Sequence, residues 1–461
     1  MNELTYFVED SIEGLEPDCG SDPVLAKILI ETLENKDEQF KAISSDGSLF
    51  LFNGIYWDRV KHNDLISMSL LFDGLWLPGE KPKRLTVNLT KAKSIAETTL
   101  LIHDKKHDGM LDEVPAGVAA LDGFWTVDEN GCELLEHSPD NLCTWSYDFE
   151  LSQDRPVKWL QFLDSLWKND PDKEDKIEAL REWVGCALIG KGVDFARAAL
   201  FLGSGGNGKS VLCRAVESLF PDEQVTSASP KQWDSDYTIA TLRDSRLNVV
   251  AELPEYKALE ASDMFKSVIA GDRISGRIIY QPPFTFTPRA SHLFSANNLP
   301  SIPDTSSGFF RRFLVLSFNR SFTNDYALER RSQADIMDDI DKERPAIVYW
   351  ALEGASKLLR RGEYTLPASH LNLIEQWHQD SDPVKDFILS CCTKGESPLA
   401  DLYDDFKEFC IATGRKAGSN KGLAKKLRLH GYKPKKTKGG TSYNLQTKVR
   451  AEWDNFNSTP F

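Results

Sequence analysis

The sequence predicts an α/β core, preceded by an α+β region and followed by a small basic domain. Three observations carry this prediction. Helical patterns alternate with short apolar runs between Ala196 and Phe318. One of those runs, "RAALFLG", leads straight into a glycine-rich loop and then a helical pattern. The charge is also divided: residues 384–461 carry 15 Lys and Arg against 8 Asp and Glu, a net of +7, while the rest of the chain carries −22.

Bulk composition narrows the class. A chain of 461 residues has room for about three domains. The 41% hydrophobic and 27% charged fractions are those of a globular protein. No run approaches the ~18 apolar residues of a membrane span. The start, "MNELTYFVEDSIEGLEPD", is acidic and has no basic-then-apolar pattern, so it does not read as a signal peptide. A cytoplasmic location is therefore expected. None of the eight cysteines forms a C-x-x-C pair, which argues against a zinc knuckle and for reduced thiols. The overall charge of −15 argues against a protein that merely coats nucleic acid.

In chain order, residues 1–150 read as an α+β accessory region with two hairpins. "GSLFLFNGIYWDRV" turns at Asn53-Gly54 and "FWTVDENGCELLEH" at Asn130-Gly131. Residues 151–195 read as a helical linker or oligomerisation segment. Trp159, Phe162, Leu163 and Leu166, then Ile177, Leu180, Trp183 and Val184, recur at helical spacing on either side of "NDPDK". The core spans residues 196–375. Its strands are "RAALFLG", "RLNVVAELPE", "ASHLFSANNLP" and "RRFLVLSF", and a helix follows from about Asp335 to Leu359. A link is expected near "QDSDP" (Gln379–Pro383), and residues 384–461 read as helix, helix and basic hairpin.

The loop "GSGGNGKS" fits G-x-x-x-x-G-K-[ST], the phosphate-cradling pattern. Gly203, Gly205, Gly206 and Gly208, with Asn207 among them, let backbone amides face phosphates at a helix N-terminus. Lys209 is expected to reach the terminal phosphates of ATP and Ser210 to bind Mg²⁺. A hydrolytic site also needs an acid after a neighbouring strand. Glu252 directly follows an apolar run and is expected to hold Mg²⁺ or polarise water, while Glu255 is left between a site acid and a solvated loop acid. Asn297, in preference to Asn298, is placed to orient water at the tip of the next strand. Arg311 and Arg312 precede the last strand. In a ring, one of them can reach a neighbour's ATP as an arginine finger.

The order of these motifs resembles the superfamily 3 helicases, in particular the helicase part of phage, plasmid and poxvirus-type primase-helicases. The resemblance rests on "GSGGNGKS", "VVAELPE", "FKSVIAGDRISGRIIYQPPFTFTP", "HLFSANNLP" and "GFFRRFLVLSF". It is strongest from Ala196 to Phe318 and extends over about Phe50 to Leu445. Asn207 and "NNLP" are typical of the family. The second motif departs from many members, with Leu253 where a second acid often stands. The resemblance implies an AAA+-like core, a hexameric ring, and movement along single-stranded DNA. It makes Lys266, Arg273, Arg277 and Tyr280 candidates for DNA contact, with "RISGRIIYQPPFTF" as a hairpin in the pore. No primase half with paired metal-binding acids is evident, so a separate primase is an expected partner.

In the tail, "SNKGLAKKLRLHGYKPKKTKGGTSYNL" reads as a helix and a basic hairpin turning at Gly439-Gly440. This suggests a winged-helix-like DNA-binding domain using Lys425, Lys426, Lys435 and Lys436, with a basic helical lid as the alternative. His103 and His107 stand four apart, but two ligands do not fix a metal site. The functional expectation is an ATP-dependent helicase for single-stranded and forked DNA. It would replicate a phage, prophage or plasmid in a bacterial host. An ATP-switched origin-binding initiator and a protein-remodelling ATPase of the same core type are the competing readings.

Overall fold

The computed structural model describes residues 19–33, 42–45, 48–79, 81–102, 116–253, 259, 262–279, 283–300, 302, 307–322, 331–413, 417–437 and 440–448. At its centre is a five-stranded sheet of β1 (Ala198–Leu202), β2 (Val225–Thr226), β3 (Leu247–Val250), β4 (Ser291–Ala296) and β5 (Phe313–Ser317). The spatial order is β2-β3-β4-β1-β5 and every pairing is parallel. β1, β4 and β5 are buried along their whole length, because apolar side chains are covered on both faces. The chain leaves β1 toward the β4–β3–β2 side and returns later to β5 on the opposite side. That reversal opens a crevice outside the carboxyl ends of β1 and β4, where ligands of open α/β sheets bind.

One face of the sheet is covered by the helices Val157–Leu166, Lys173–Leu188 and Gln333–Arg361. The two helices predicted around "NDPDK" are thus present, but they pack inside the main core. Val118, Trp125, Trp145 and Tyr147, from the region expected to be accessory, join the same core. Large aromatic side chains drive this arrangement, and the polar tips of three of them find acceptors. Tyr147 Oη donates to Leu219 O at 2.7 Å, Trp167 Nε1 to Ser317 O at 2.9 Å and Trp183 Nε1 to Arg197 O at 3.0 Å.

The other face packs Trp233, Phe265, Phe294, Phe309, Phe313 and Trp377. Trp377 carries this core past residue 375. The helix Ala368–Ser381 crosses the expected link, leaving only Asp382 before the next helix, Pro383–Cys391.

Residues 19–102 hold a smaller core around Leu25, Leu29, Leu65, Phe72 and Ile95. The hairpin read at Asn53-Gly54 pairs Phe52 with Trp57, and the one at Asn130-Gly131 pairs Val127 with Cys132. Arg59 ties this region to the main core through two bonds to Asp244, at 2.7 and 3.0 Å.

The tail has three helices where two were read: Pro383–Cys391, Leu399–Ala412 and Asn420–Leu429. Its basic hairpin pairs Lys435–Thr437 with Gly440–Tyr443, and Phe387, Leu402, Phe406, Leu427 and Tyr443 form its core. Among the described residues, no helix is long and apolar enough to cross a membrane.

Candidate nucleotide site

The glycine-rich loop joins the carboxyl end of β1 to the helix Lys209–Glu217. Its shape is fixed by sterics. Gly208 sits at φ 87°, and a Cβ there would meet Leu166 Cδ2 at 2.4 Å. A Cβ at Gly203 would meet Phe318 O at 2.4 Å. Asn207 Nδ2 donates to that same carbonyl at 3.2 Å, and Phe322 N donates to Gly206 O at 2.8 Å. The segment after β5 thus clamps the loop from behind. Gly205 is different: nothing lies within 4 Å of the position its Cβ would take. The protein's own packing does not require glycine there, whereas a group lying against the loop would.

Lys209 is the hub. Its ammonium donates to the carbonyls of Gly203 and of Ser204 (3.0 Å), to Asn207 Oδ1 (3.2 Å) and to Asn297 Oδ1 (3.5 Å). The side chain is buried, and burial pushes its pKa below the usual lysine value, with Glu252 and Cys213 acting in the opposite sense. Each hydrogen-bond partner is an uncharged oxygen. A cleft of about 280 Å³ opens beside it, lined by Gly205, Gly208, Lys209, Ser210, Glu252, Asn297 and Gln333 among others. Ser210 and Glu252 are exposed to this space. Among the described residues no three His, Cys, Asp or Glu side chains gather into a metal site. Ser210 and Glu252 would therefore hold a divalent ion only together with phosphate oxygens.

The structure brings Lys209, Ser210, Glu252 and Asn297 to one cleft and sets Asn297, not Asn298, against Lys209. It does not bring Arg311 and Arg312 there. They precede β5, whose first residue pairs with Ala198 at the amino end of β1 and whose last pairs with Leu202 beside the loop. At about 3.3 Å per residue, roughly 13 Å of strand separates the pair from the loop's end of the sheet. Arg311 is exposed, and Arg312 Nε is buried without a hydrogen-bond partner. Burial first, and the neighbouring Arg311 second, lower the Arg312 pKa.

The expected DNA contacts divide. Ile274–Gly276 and Phe284–Phe286 form the hairpin read from sequence, with Arg273 and Arg277 exposed beside it. Arg273 Nε donates to Thr285 Oγ1 at 3.1 Å, and Lys266 pairs with Asp263 at 2.9 Å. In the tail, Lys425 and Lys436 are exposed, while Lys426 pairs with Asp382 at 3.1 Å and Lys435 with Glu396 at 2.8 Å. Glu255, Tyr280, His103 and His107 lie outside the described residues.

Sequence reading missed Gln333, Phe318 and Phe322. Gln333 lines the cleft from the first position of the helix that Ser332 caps, where Ser332 Oγ accepts from Asp335 N at 3.1 Å. "SQAD" carries that capping signal, although periodicity placed the helix start near Asp335. The hydrogen bonds of Phe318 and Phe322 with the loop are made by their backbones, which no residue type announces.

Comparison with known proteins places these features. Residues 201–312 match a family of unknown function (DUF5906), and residues 379–457 match the family described as Poxvirus D5 protein-like. A protein of Acanthamoeba polyphaga mimivirus named "Putative helicase" is 25% identical over 277 residues, which is 57% of this chain and 27% of the relative. The chain thus aligns with about a quarter of that relative's length. Two solved apo structures of the NrS-1 C-terminal region are 11% and 12% identical, with TM-scores of 0.45 and 0.46. The alignments cover 92% and 93% of this chain and 98% and 99% of those chains. The resemblance to D5-type helicases that the motifs imply is borne out by the Poxvirus D5 protein-like match and by the mimivirus relative.

Proposed function

We propose that the chain is an ATP-dependent DNA helicase of the superfamily 3 type, working as a hexameric ring in the replication of a phage, plasmid or similar element. One observation carries the reading. A buried ammonium, Lys209, is held by four uncharged oxygens at a loop whose Gly205 leaves a side chain's space open. A buried cation facing no carboxylate partner is costly unless an anion completes its shell.

The residues fit a phosphate chain on that basis. Lys209 would exchange its carbonyl partners for phosphate oxygens, and the loop amides would line the same anion. The Ser210 hydroxyl and the Glu252 carboxylate would hold Mg²⁺, with Glu252 also placed to take a proton from water. Asn297, already against Lys209, would orient that water and register the terminal phosphate. When bound, Mg²⁺-ATP supplies a phosphoanhydride whose hydrolysis releases the free energy for movement.

The Arg311–Arg312 pair lies too far along β5 to serve its own loop, which supports a site completed by the next subunit. The Ile274–Gly276/Phe284–Phe286 hairpin, with Arg273 and Arg277, would follow single-stranded DNA through the ring. The tail's three helices and basic hairpin have the make-up of a winged helix that grips DNA ahead of the motor.

A strand-displacement assay on a forked duplex tests the reading. The wild-type chain should unwind the fork with ATP and Mg²⁺, and Lys209→Ala should abolish both unwinding and ATP hydrolysis. A wild-type chain that hydrolyses ATP without displacing a strand would sink the helicase reading.

A further inference from the structure

We propose that Lys421, Lys425 and Arg428 form a phosphate-gripping stripe for duplex DNA, and that the neighbouring Lys426 is a structural latch outside it. The inference rests on reading the chain as a protein that acts on DNA.

The helix Asn420–Leu429 buries one face through Leu423, Ala424 and Leu427. Lys421, Lys425 and Arg428 are all exposed. Their spacing of four and then three residues places them on one side of an α-helix. Among the described residues, none of the three is in an ion pair. The helix contains no acidic residue, so nothing on it offsets the three charges.

Lys426 on the same helix and His430 at its C-cap turn inward. Lys426 Nζ reaches Asp382 Oδ1 at 3.1 Å, and His430 Nε2 lies 2.8 Å from Asp382 Oδ2. Asp382 is buried and also caps the helix Pro383–Cys391, accepting from Lys385 N at 3.4 Å. Lys426 first, then His430, hold its carboxyl below the ordinary value against the opposing effect of burial. A lysine bound to a buried carboxylate is not available for a phosphate. It fixes how the helix is presented, at the residue that joins the motor to the tail.

Geometry and composition select the ligand. The seven steps from Lys421 to Arg428, at 1.5 Å rise each, make the stripe about 10 Å long. Three base-pair steps, at about 3.4 Å of duplex axis each, span the same length. The stripe carries no aromatic on which an unpaired base could stack, and its three side chains are all cations, which grip phosphates and can also meet a guanine edge. What the stripe offers first is a row of positive charge along a duplex, which gives salt-dependent affinity for phosphates.

The test measures binding of the full-length protein to a short duplex of mixed sequence as a function of NaCl. Replacing Lys421, Lys425 and Arg428 together by Ala, a helix-favouring change at exposed sites, should lower the slope of log K against log salt by about 2 to 3. Lys421→Arg with Lys425→Arg should keep the wild-type slope, and Lys426→Ala should keep it while lowering the melting temperature. The idea fails if the triple variant keeps the wild-type slope. It also fails if Lys426→Ala lowers the slope as much as the triple variant does, or if the variant loses single-strand binding in preference to duplex binding. A chain that unwinds forks normally but shows none of these effects refutes the stripe and leaves the helicase reading standing. A wild type that binds no DNA refutes both.

Discussion

At the carboxyl ends of β1 and β4, Lys209 makes four hydrogen bonds to oxygens of the loop and of Asn297. At the amino ends of β1 and β5, Arg312 Nε is buried with none, and Arg311 faces solvent. One sheet thus carries a hydrogen-bonded lysine in a glycine-rich loop at one end and, at the other, an arginine whose Nε is buried without a partner. Under the proposed function the difference means that the catalytic set is split, with the cradle complete in one chain and the arginines serving the site of a neighbouring subunit.

The largest expected effects test that split directly. Arg311→Ala with Arg312→Ala should lower kcat for ATP hydrolysis by about 10³-fold. Because the pair is remote from the subunit's own loop, nucleotide binding by the isolated chain should be nearly unchanged, as read by equilibrium titration with a fluorescent ATP analogue. A large loss of affinity in the monomer would place the arginines in the cradle after all. Asn297→Ala should cost about 100-fold in kcat, and Asn298→Ala should be close to neutral. Equal losses would undo the geometric distinction between them.

Two glycines sharpen the comparison between fold and ligand. Gly208→Ala sets a Cβ against Leu166 at a positive φ and should lower stability by about 1–3 kcal/mol in a denaturant melt. The Cβ of Gly205→Ala meets no protein atom within 4 Å, so this change should leave stability within about 0.5 kcal/mol while weakening nucleotide binding. Matching losses of stability would mean that Gly205 serves the fold.

The smallest effect lies on β5. His370 Nδ1 accepts from Val315 N at 3.0 Å, and burial, aided by Arg197, lowers the His370 pKa from 6.5 to about 4. The folded ring stays neutral while the unfolded one takes up a proton below about pH 6.5. This contribution is therefore complete above pH 6.5 and lost as pH falls toward 4. His370→Asn, which keeps an acceptor at the Nδ1 position, should flatten stability over that window. Melting temperatures at a series of pH values check it.

Much of the cradle is legible in the sequence because its determinants are local. An apolar run, glycines at fixed spacing and a lysine-serine pair describe the loop, and Asn297 and Glu252 follow apolar runs of their own. What the sequence hides is the set of contacts across long separations. Trp125, Trp145 and Tyr147 look like parts of an accessory region, yet they complete the core under the sheet. Trp377 shows the same thing past the expected boundary. Lys426 and Lys435 resemble their neighbours in the basic tail until Asp382 and Glu396 are seen to hold them. Charge counting registers a cation but not whether the fold has already used it.

The central claim is that a working site needs a loop from one subunit and arginines from another. It is tested most directly by mixing two inactive variants, Lys209→Ala and Arg311→Ala/Arg312→Ala, in equal amounts and measuring ATP hydrolysis. In a head-to-tail ring, about a quarter of randomly formed interfaces pair an intact loop with intact arginines. Activity should therefore return to a substantial fraction of wild type. A mixture as inactive as its two components, under conditions where mixed rings form, would contradict the account.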